Sequence, residues 1–254
     1  TIQVYKNGEF NFDNNVRNVV GINDLDENSS KTSRSFSTIF AEYEVIKNLK
    51  FKSTNNFDLL NIKEYKFINP LTPDGKSLNG AGFRYFTMKK TLTSSNTANY
   101  SFTLKEKHSF LAILGYEIQN SSKEKSSLGA ADFAGANARS LSGASNPILV
   151  EESNSSWGII SYLSNFQYNL SSKYYLSGSF RRDGSSKFSD NNKWANFWSV
   201  GFSWRLSEEN FLKEIKKISS LIIRGSYGTS GNSDIDEHAW ETLYGTGYNY
   251  NGDP

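Results

Sequence analysis

Chemistry needs groups that exchange protons or electrons or hold a metal, and this chain has few of them. It contains 2 histidines, His108 and His238, and no cysteine. Thiolate nucleophiles, disulfides and cysteine-based zinc sites are therefore excluded. His108 follows Lys105, Glu106 and Lys107 in what reads as a tight turn, where a solvated imidazole is expected. His238 stands beside Asp234, Asp236 and Glu237, but DIDEH lacks the ligand spacing of a known metal site. Asp13, Asp24, Asp26 and Glu27 lack the register of a calcium loop and are expected to face solvent. GSYGTSGN, Gly225 to Asn232, looks like a phosphate-binding loop but has neither the Lys-Ser/Thr pair nor the strand–helix setting. A strand running into a turn accounts for its glycines. Serines are plentiful, yet neither histidine is placed to activate one. The sequons at Asn120, Asn154 and Asn169 are too common a pattern to carry weight. The sequence thus predicts no catalytic residue, no metal, no cofactor and no enzyme activity.

Composition narrows the class. The net charge of +2 does not suggest nucleic acid as a partner. Aromatic residues reach 15%, with 18 Phe and 14 Tyr, against 4 prolines. The longest apolar run is FLAIL, Phe110 to Leu114, far short of the ~18 residues of a membrane helix. That leaves a soluble protein or a membrane β-barrel, whose strands need only alternate. TIQVYKNGEFNFDNN, from Thr1, has no basic start and no apolar segment of a signal peptide. The reading is a cytoplasmic chain or a piece of a longer one.

The elements that would position any site are strands. Residues 1–34 are rich in Asn, Asp and Ser and read as a connector. From Ser35 onward the spacing predicts strands over 35–46, 49–66, 84–105, 108–121, 156–170, 173–184, 194–206, 219–230 and 239–249. Several have two unlike faces. Trp198, Val200, Phe202, Trp204 and Leu206 oppose Ser199, Gly201, Ser203 and Arg205. Tyr174, Leu176, Gly178 and Phe180 oppose Tyr175, Ser177, Ser179, Arg181 and Asp183. Leu221, Ile223 and Tyr227 oppose Arg224 and Ser226. Short turns near 46–48, 105–108 and 171–173 alternate with long polar links at 66–82 and 121–155. That asymmetry describes an outer-membrane barrel with its short turns toward the periplasm. Ser207 to Ser220 instead carries Phe211, Leu212, Ile215 and Ile218 at helical spacing, predicting a short amphipathic helix. Ser126 to Pro147, rich in Gly, Ala and Ser, reads as a long surface loop rather than a linker between domains.

The ordered segment KYYLSGSFRRDGSSKFSDNNKWANFWSVGFSWRLSEENFLK, from Lys173, is followed by LIIRGSYGTSGN. It resembles the barrel of SusC/RagA-type TonB-dependent outer-membrane transporters. Arg181, Arg182, Asp183, Gly184, Ser185, Ser186 and Phe188 match the family's Arg-Arg-Asp-Gly-Ser-Ser-(Arg/Lys)-Phe turn. Trp204 and Arg205 match its Gly-Trp-Arg element, and Gly228, Gly231 and Asn232 its Ser-Tyr-Gly-x-(Ser/Thr)-Gly-Asn strand. HSFLAILGYEIQ is similar to its His-x-Leu-x-x-Leu-x-Gly-Tyr-Glu arm. The series covers roughly residues 97–250, and AEYEVIKNLKFKS extends it to about 41. Trp198 stands where proline is usual, and Ser203 where the glycine of Gly-Trp-Arg is usual.

The resemblance implies an all-β chain, 35–254, forming part of a transmembrane antiparallel barrel, roughly nine of about 22 strands. The plug domain and the barrel closure would lie elsewhere. It implies an integral outer-membrane protein importing oligosaccharides or peptides, with a SusD-like surface lipoprotein and TonB-ExbB-ExbD as partners. Tyr174, Leu176 and Phe180 would meet lipid, and Trp194, Trp204, Tyr168 and Tyr174 would form interfacial girdles. Arg181, Asp183, Arg205 and Arg224 are the ligand-binding candidates on the lumen or rim. The links 66–82, 121–155 and 184–193 are the candidate ligand loops, where Phe133 would stack on sugars or pack on its own barrel. A soluble carbohydrate-binding sandwich and a passive porin remain the alternatives.

Overall fold

A computed structural model describes residues 4–13, 17–213, 215 and 217–236. Near the start, β1 (Tyr5–Lys6) and β2 (Glu9–Phe10) form a hairpin. Asn7 and Gly8 close it at φ of 55° and 86°, the backbone a tight hairpin turn requires. Helix α1 (Val19–Leu25) follows, started by the Asn18 side chain, which accepts from the Gly21 N–H. The remaining long elements are β3 (Glu27–Ile46), β4 (Leu49–Ile68), β5 (Ala81–Leu104), β6 (His108–Phe133), β7 (Ala144–Leu170), β8 (Tyr174–Ser185), β9 (Trp194–Arg205) and β10 (Ile222–Gly228). They form one eight-stranded sheet in which every neighbour in space is a neighbour in sequence, β10-β9-β8-β7-β6-β5-β4-β3. The predicted ninth strand, 239–249, and His238 lie outside the described residues.

The turns at one end are tight. They are Lys47–Asn48 between β3 and β4, Lys105–Lys107 between β5 and β6, and Ser171–Lys173 between β7 and β8. Asn48, Lys105, Glu106, Ser171 and Ser172 all have positive φ, which twists each hairpin in the sense of its strands. The Asn48 N–H donates to Glu44 Oε1, and the Ser172 N–H donates to Asn169 Oδ1.

Several boundaries differ from the sequence reading. The predicted loop 121–155 is mostly strand, because β6 runs on to Phe133 and β7 begins at Ala144. Within it Gly129, Ala130 and Ala131 are buried at the end of β6, so small size rather than flexibility is the role of these three. The link 66–82 shortens likewise, as β4 reaches Ile68 and β5 starts at Ala81, with helix α2 (Pro73–Lys76) between them. Strand β3 begins at Glu27, within the predicted connector. The predicted helix over 207–220 contracts to a 3-10 turn at Leu206–Glu208 and α3 (Asn210–Lys213). Phe211, Ile215 and Ile218 stay exposed, and a short helix that buries no apolar face is marginal.

The chain divides into two compact units. The first gathers the residues to Phe36, Asp58–Lys90 and Ser122–Ser155. It holds the buried cluster of Tyr65, Phe67 and Phe133, with Ala138, Leu141 and Ala144 packed on it. The Phe67 and Phe133 rings meet edge to face at 5.2 Å. Phe133 is only 2% exposed, so it packs on its own sheet and is closed to a sugar face. The second unit gathers Ser37–Phe57, Thr91–Ser121 and the residues from Ser156 onward. It has no apolar cluster of this kind among the described residues, and its large apolar side chains stand on the surface instead.

Candidate functional site

Register decides which side chains share a face. In the second unit Tyr168 pairs with Leu176, Leu176 with Phe202, and Phe202 with Gly225. Because side chains alternate with period two, the pairing carries one apolar face across β7 to β10. Tyr162 and Phe166 on β7, Phe180 on β8, Trp198 and Val200 on β9, and Ile223 and Tyr227 on β10 belong to it. Leu176 is 50% exposed, Phe202 46% and Ile223 53%, so no second sheet covers this face among the described residues. A soluble sandwich would bury it.

Aromatic rings gather at the two ends of that face. Towards one end Tyr116 lies 5.3 Å from Tyr162, and Tyr162 lies 6.1 Å from Trp194. The Arg182 guanidinium sits 5.1 Å over the Trp194 ring, its stem on the apolar face. A Cβ on Gly184 would come within 2.8 Å of the same ring, so a glycine is needed where Trp194 lies flat on β8. Towards the other end Phe102 stacks on Phe110 at 4.7 Å, Phe110 meets Tyr168 at 4.8 Å, and Tyr174 stacks on Trp204 at 6.1 Å. His108, expected free in a turn, opens β6 and has its Nδ1 2.8 Å from the Tyr168 hydroxyl.

The opposite face is polar. Arg181 Nε donates to Asp183 at 2.7 Å and 3.0 Å, and the Arg181 Nη2 donates to Ser161 Oγ at 2.9 Å and Glu117 Oε1 at 3.2 Å. Ser161 is fully buried beneath it. One guanidinium is thus shared by two carboxylates, which leaves the group with a net negative charge. Arg205 and Arg224 lie elsewhere on this face. Arg224 pairs across from Ser203, whose next neighbour on the same face is Arg205. Phe197, opposite Arg181, is eight residues from Arg205, about 26 Å along a strand. The structure therefore brings Arg181 and Asp183 together, sets Arg205 near Arg224, and separates the two pairs.

Around Arg224 the polar face dips into a trough of about 550 Å³. On β6 to β10 its lining consists of a residue of the Phe110–Tyr168–Leu176–Phe202–Gly225 row with its two chain neighbours. Those neighbours point to the polar side, so the trough opens there. Its polar side chains include Gln167, Asn169, Tyr175, Ser177, Ser203 and Arg224. Gly201 keeps it deep, since a Cβ there would approach Ser177 Oγ to 2.7 Å.

The remaining motif residues shape turns. The Ser185 N–H donates to the Lys193 carbonyl, and Ser185 Oγ accepts from the Lys187 N–H. Ser186 exchanges two bonds with Gly158, through its N–H and its Oγ. The Phe188 N–H closes the turn on the Ser185 carbonyl at 3.4 Å. Gly228 ends β10 against Ser199, Gly231 lies on the Phe197 ring, and the Asn232 side chain accepts from the Asp234 N–H.

Besides Glu117 and Ser161, Glu209 is a residue that sequence reasoning missed. Its Oε1 accepts from the Tyr174 hydroxyl at 2.6 Å and Trp204 Nε1 at 3.1 Å, while Lys173 Nζ donates to Oε2 at 3.3 Å. These donors, Tyr174 first, hold its carboxyl below the usual range. Lys173-Tyr174 and Trp204 to Glu209 are two halves of this one knot, a signal visible only when the two stretches are read together. Among the acidic residues read earlier, Asp13 pairs with Lys6, Glu27 pairs with Arg139 at 3.2 Å, and Asp26 accepts from the Asn69 N–H at 2.8 Å. Among the described residues no three acidic or histidine groups converge as metal ligands, and no helix is long and apolar enough to cross a membrane.

No family model matches the chain. It is similar to TonB-dependent receptor P39 of Formosa agariphila, 32% identical over 227 residues, covering 86% of this chain and 22% of that protein. TonB-dependent receptor SusC of Bacteroides thetaiotaomicron is 38% identical over 87 residues, 34% of this chain and 9% of that protein. Among solved structures, the RagAB peptide transporter superposes with a TM-score of 0.76 at 26% identity, over 86% of this chain and 24% of that one. The closed-closed state of the RagAB peptide importer gives 0.77 at 28% identity, over 84% and 24%. The chain spans under a quarter of the length of these relatives. On its sheet, its motifs and these likenesses, the chain belongs to the SusC/RagA-type TonB-dependent receptors and corresponds to a section of their barrel.

Proposed function

We propose that the chain is part of the wall of an outer-membrane barrel that imports a nutrient, an oligosaccharide or a peptide, in a TonB-dependent manner. One observation carries this reading: an uncovered apolar face bounded by aromatic clusters. Trp194 and Trp204 share that face of β9, ten residues apart. At ~3.3 Å per residue and a strand tilt of ~40°, they stand ~25 Å apart along the membrane normal, the height of an outer-membrane apolar band. The apolar face meets lipid, and the face of Arg181, Asp183, Arg205 and Arg224 meets the lumen.

A SusD-like surface lipoprotein is the partner on the long-link side, and TonB with ExbB and ExbD supplies energy. The likeness to SusC and to RagAB supports both. Transport breaks no bond, so the reading assigns no catalytic step to this chain. The full-length protein is to be extracted from outer membranes and run on a gel with and without boiling. A heat-dependent shift, with loss of growth on the imported nutrient after gene deletion, is expected. A protein that is monodisperse without detergent would overturn the reading.

A further inference from the structure

Resting on the transporter reading, we propose that Arg182 holds the phosphate of an outer-leaflet lipid against the outside of the barrel wall. Over the described residues through which β7 to β10 pair, Arg182 is the one charged side chain on the apolar face. It lies on β8, between Tyr162 of β7 and Asn196 of β9, so both of its flanking strands are in place. Asn196 is two residues inside Trp194, which puts Arg182 ~5 Å below that ring at ~3.3 Å per residue and a tilt of ~40°. A cation is costly at the middle of a lipid face and cheap at its edge. The side chain also turns towards the edge. Its guanidinium sits over the Trp194 ring, and Trp194 pairs with Gly184, two residues further out. The stem covers apolar surface while the charge is carried to headgroup height.

The surroundings suit a phosphate. A guanidinium takes phosphate oxygens through two parallel N–H donors. Asn196 is exposed on one side of it and Tyr162 is half exposed on the other, so an amide and a phenol stand ready to donate to the same group. The nearby acids Asp183 and Glu117 belong to the opposite face, where Arg181 holds both. In the link just beyond, 186–193, Lys187 and Lys193 outnumber Asp190, which Lys193 binds at 2.7 Å. The outer end of the face is thus positive, and below it Phe180 and Val200 are exposed to receive acyl chains. A lipid with a phosphate above its chains satisfies both parts at once.

The test uses the full-length protein in a neutral detergent and two probes with the same acyl chains, phosphatidic acid and diacylglycerol. Native mass spectrometry counts the lipid retained by each folded variant, with the heat-dependent gel shift showing which are folded. Phosphatidic acid is expected to be held roughly tenfold more tightly than diacylglycerol at the tightest site, with R182Q abolishing that preference and R182K keeping most of it. R224Q removes the same charge from the lumen face and is expected to leave retention unchanged. Equal retention of the two probes, indifference to R182Q, or an equal loss in R224Q overturns the inference. Displacement of phosphatidic acid by an equal concentration of inorganic phosphate would assign Arg182 to a soluble anion and overturn the lipid. If the protein proves not to be a barrel at all, the transporter reading falls first. A barrel whose lipid retention ignores Arg182 removes this inference alone.

Discussion

Val200 and Ser199 are adjacent in β9 and stand on opposite faces, Val200 paired with Gly178 and Tyr227, and Ser199 paired with Ser179 and Gly228. Val200 lies midway between the two aromatic clusters and is 51% exposed. If its face meets lipid, a charge there is costly and a charge one residue away is not. V200R is expected to lower the stability of the barrel in lipid by ~2–4 kcal/mol, while S199R, on the wet side, stays within about 1 kcal/mol. Urea titrations of protein refolded into vesicles read this directly. Equal effects would remove the assignment of faces.

Gly184 and Gly178 share that apolar face on β8 but meet different surroundings. A Cβ at Gly184 falls 2.8 Å from the Trp194 ring, whereas one at Gly178 has only the Ser199 carbonyl oxygen at 3.9 Å. G184V must displace Trp194, and a cost of ~1–3 kcal/mol with a changed tryptophan emission is expected. G178A is expected to stay within about 0.5 kcal/mol. A silent G184V would show that Trp194 does not lie against β8.

The alternation in FWSVGFSWRL made the second unit legible, because its two faces have unlike surroundings and the sequence records the difference residue by residue. In the first unit the strands 49–66 and 84–105 were legible, but the end of β6 and the start of β7 were not, for the opposite reason. SSLGAADF has no alternation, since Ala130, Ala131 and Phe133 are all buried there, and its small residues looked like a loop. Arg181 and Asp183 were found together because they sit two apart on one strand. Glu117 and Ser161 were not, because they reach Arg181 only across neighbouring strands, and Glu209 was not, because it sits in the link after β9 and reaches Lys173 and Tyr174 only where that link passes the start of β8. Phe211, Ile215 and Ile218 misled in another way. They have helical spacing, but periodicity does not reveal whether anything lies against the face it defines.

Arg181 tests how the polar cluster is balanced. Removing it in R181M leaves Glu117 and Asp183 without the cation they share. Arg181 is 41% exposed, so solvent screens the loss, and about 1 kcal/mol of destabilisation is expected. E117Q removes the excess negative charge and is expected to cost less. Adding E117Q to R181M should recover part of the loss, a coupling that a double-mutant cycle measures. Additive effects would mean that the two side chains do not interact in solution.

Glu209 gives the knot a pH dependence whose sign follows from its lowered pKa. A carboxylate that is more acidic when folded contributes stability above its unfolded pKa, and that contribution is lost as pH falls through the folded value. The side chain is 15% exposed, so its bonds to Tyr174, Trp204 and Lys173 are partly shielded from water. The link between β9 and β10 is therefore expected to hold at neutral pH and to loosen only below the ordinary carboxylate range. Amide exchange of residues 206–213, followed from pH 7 down to about 3 and corrected for the intrinsic rate, reads this opening. In E209Q the same link should exchange faster at neutral pH and lose its acid-dependent step. An unchanged profile in E209Q would show that the Tyr174 and Trp204 bonds do not hold the link. A step that moved upward in pH would assign the titration to another group.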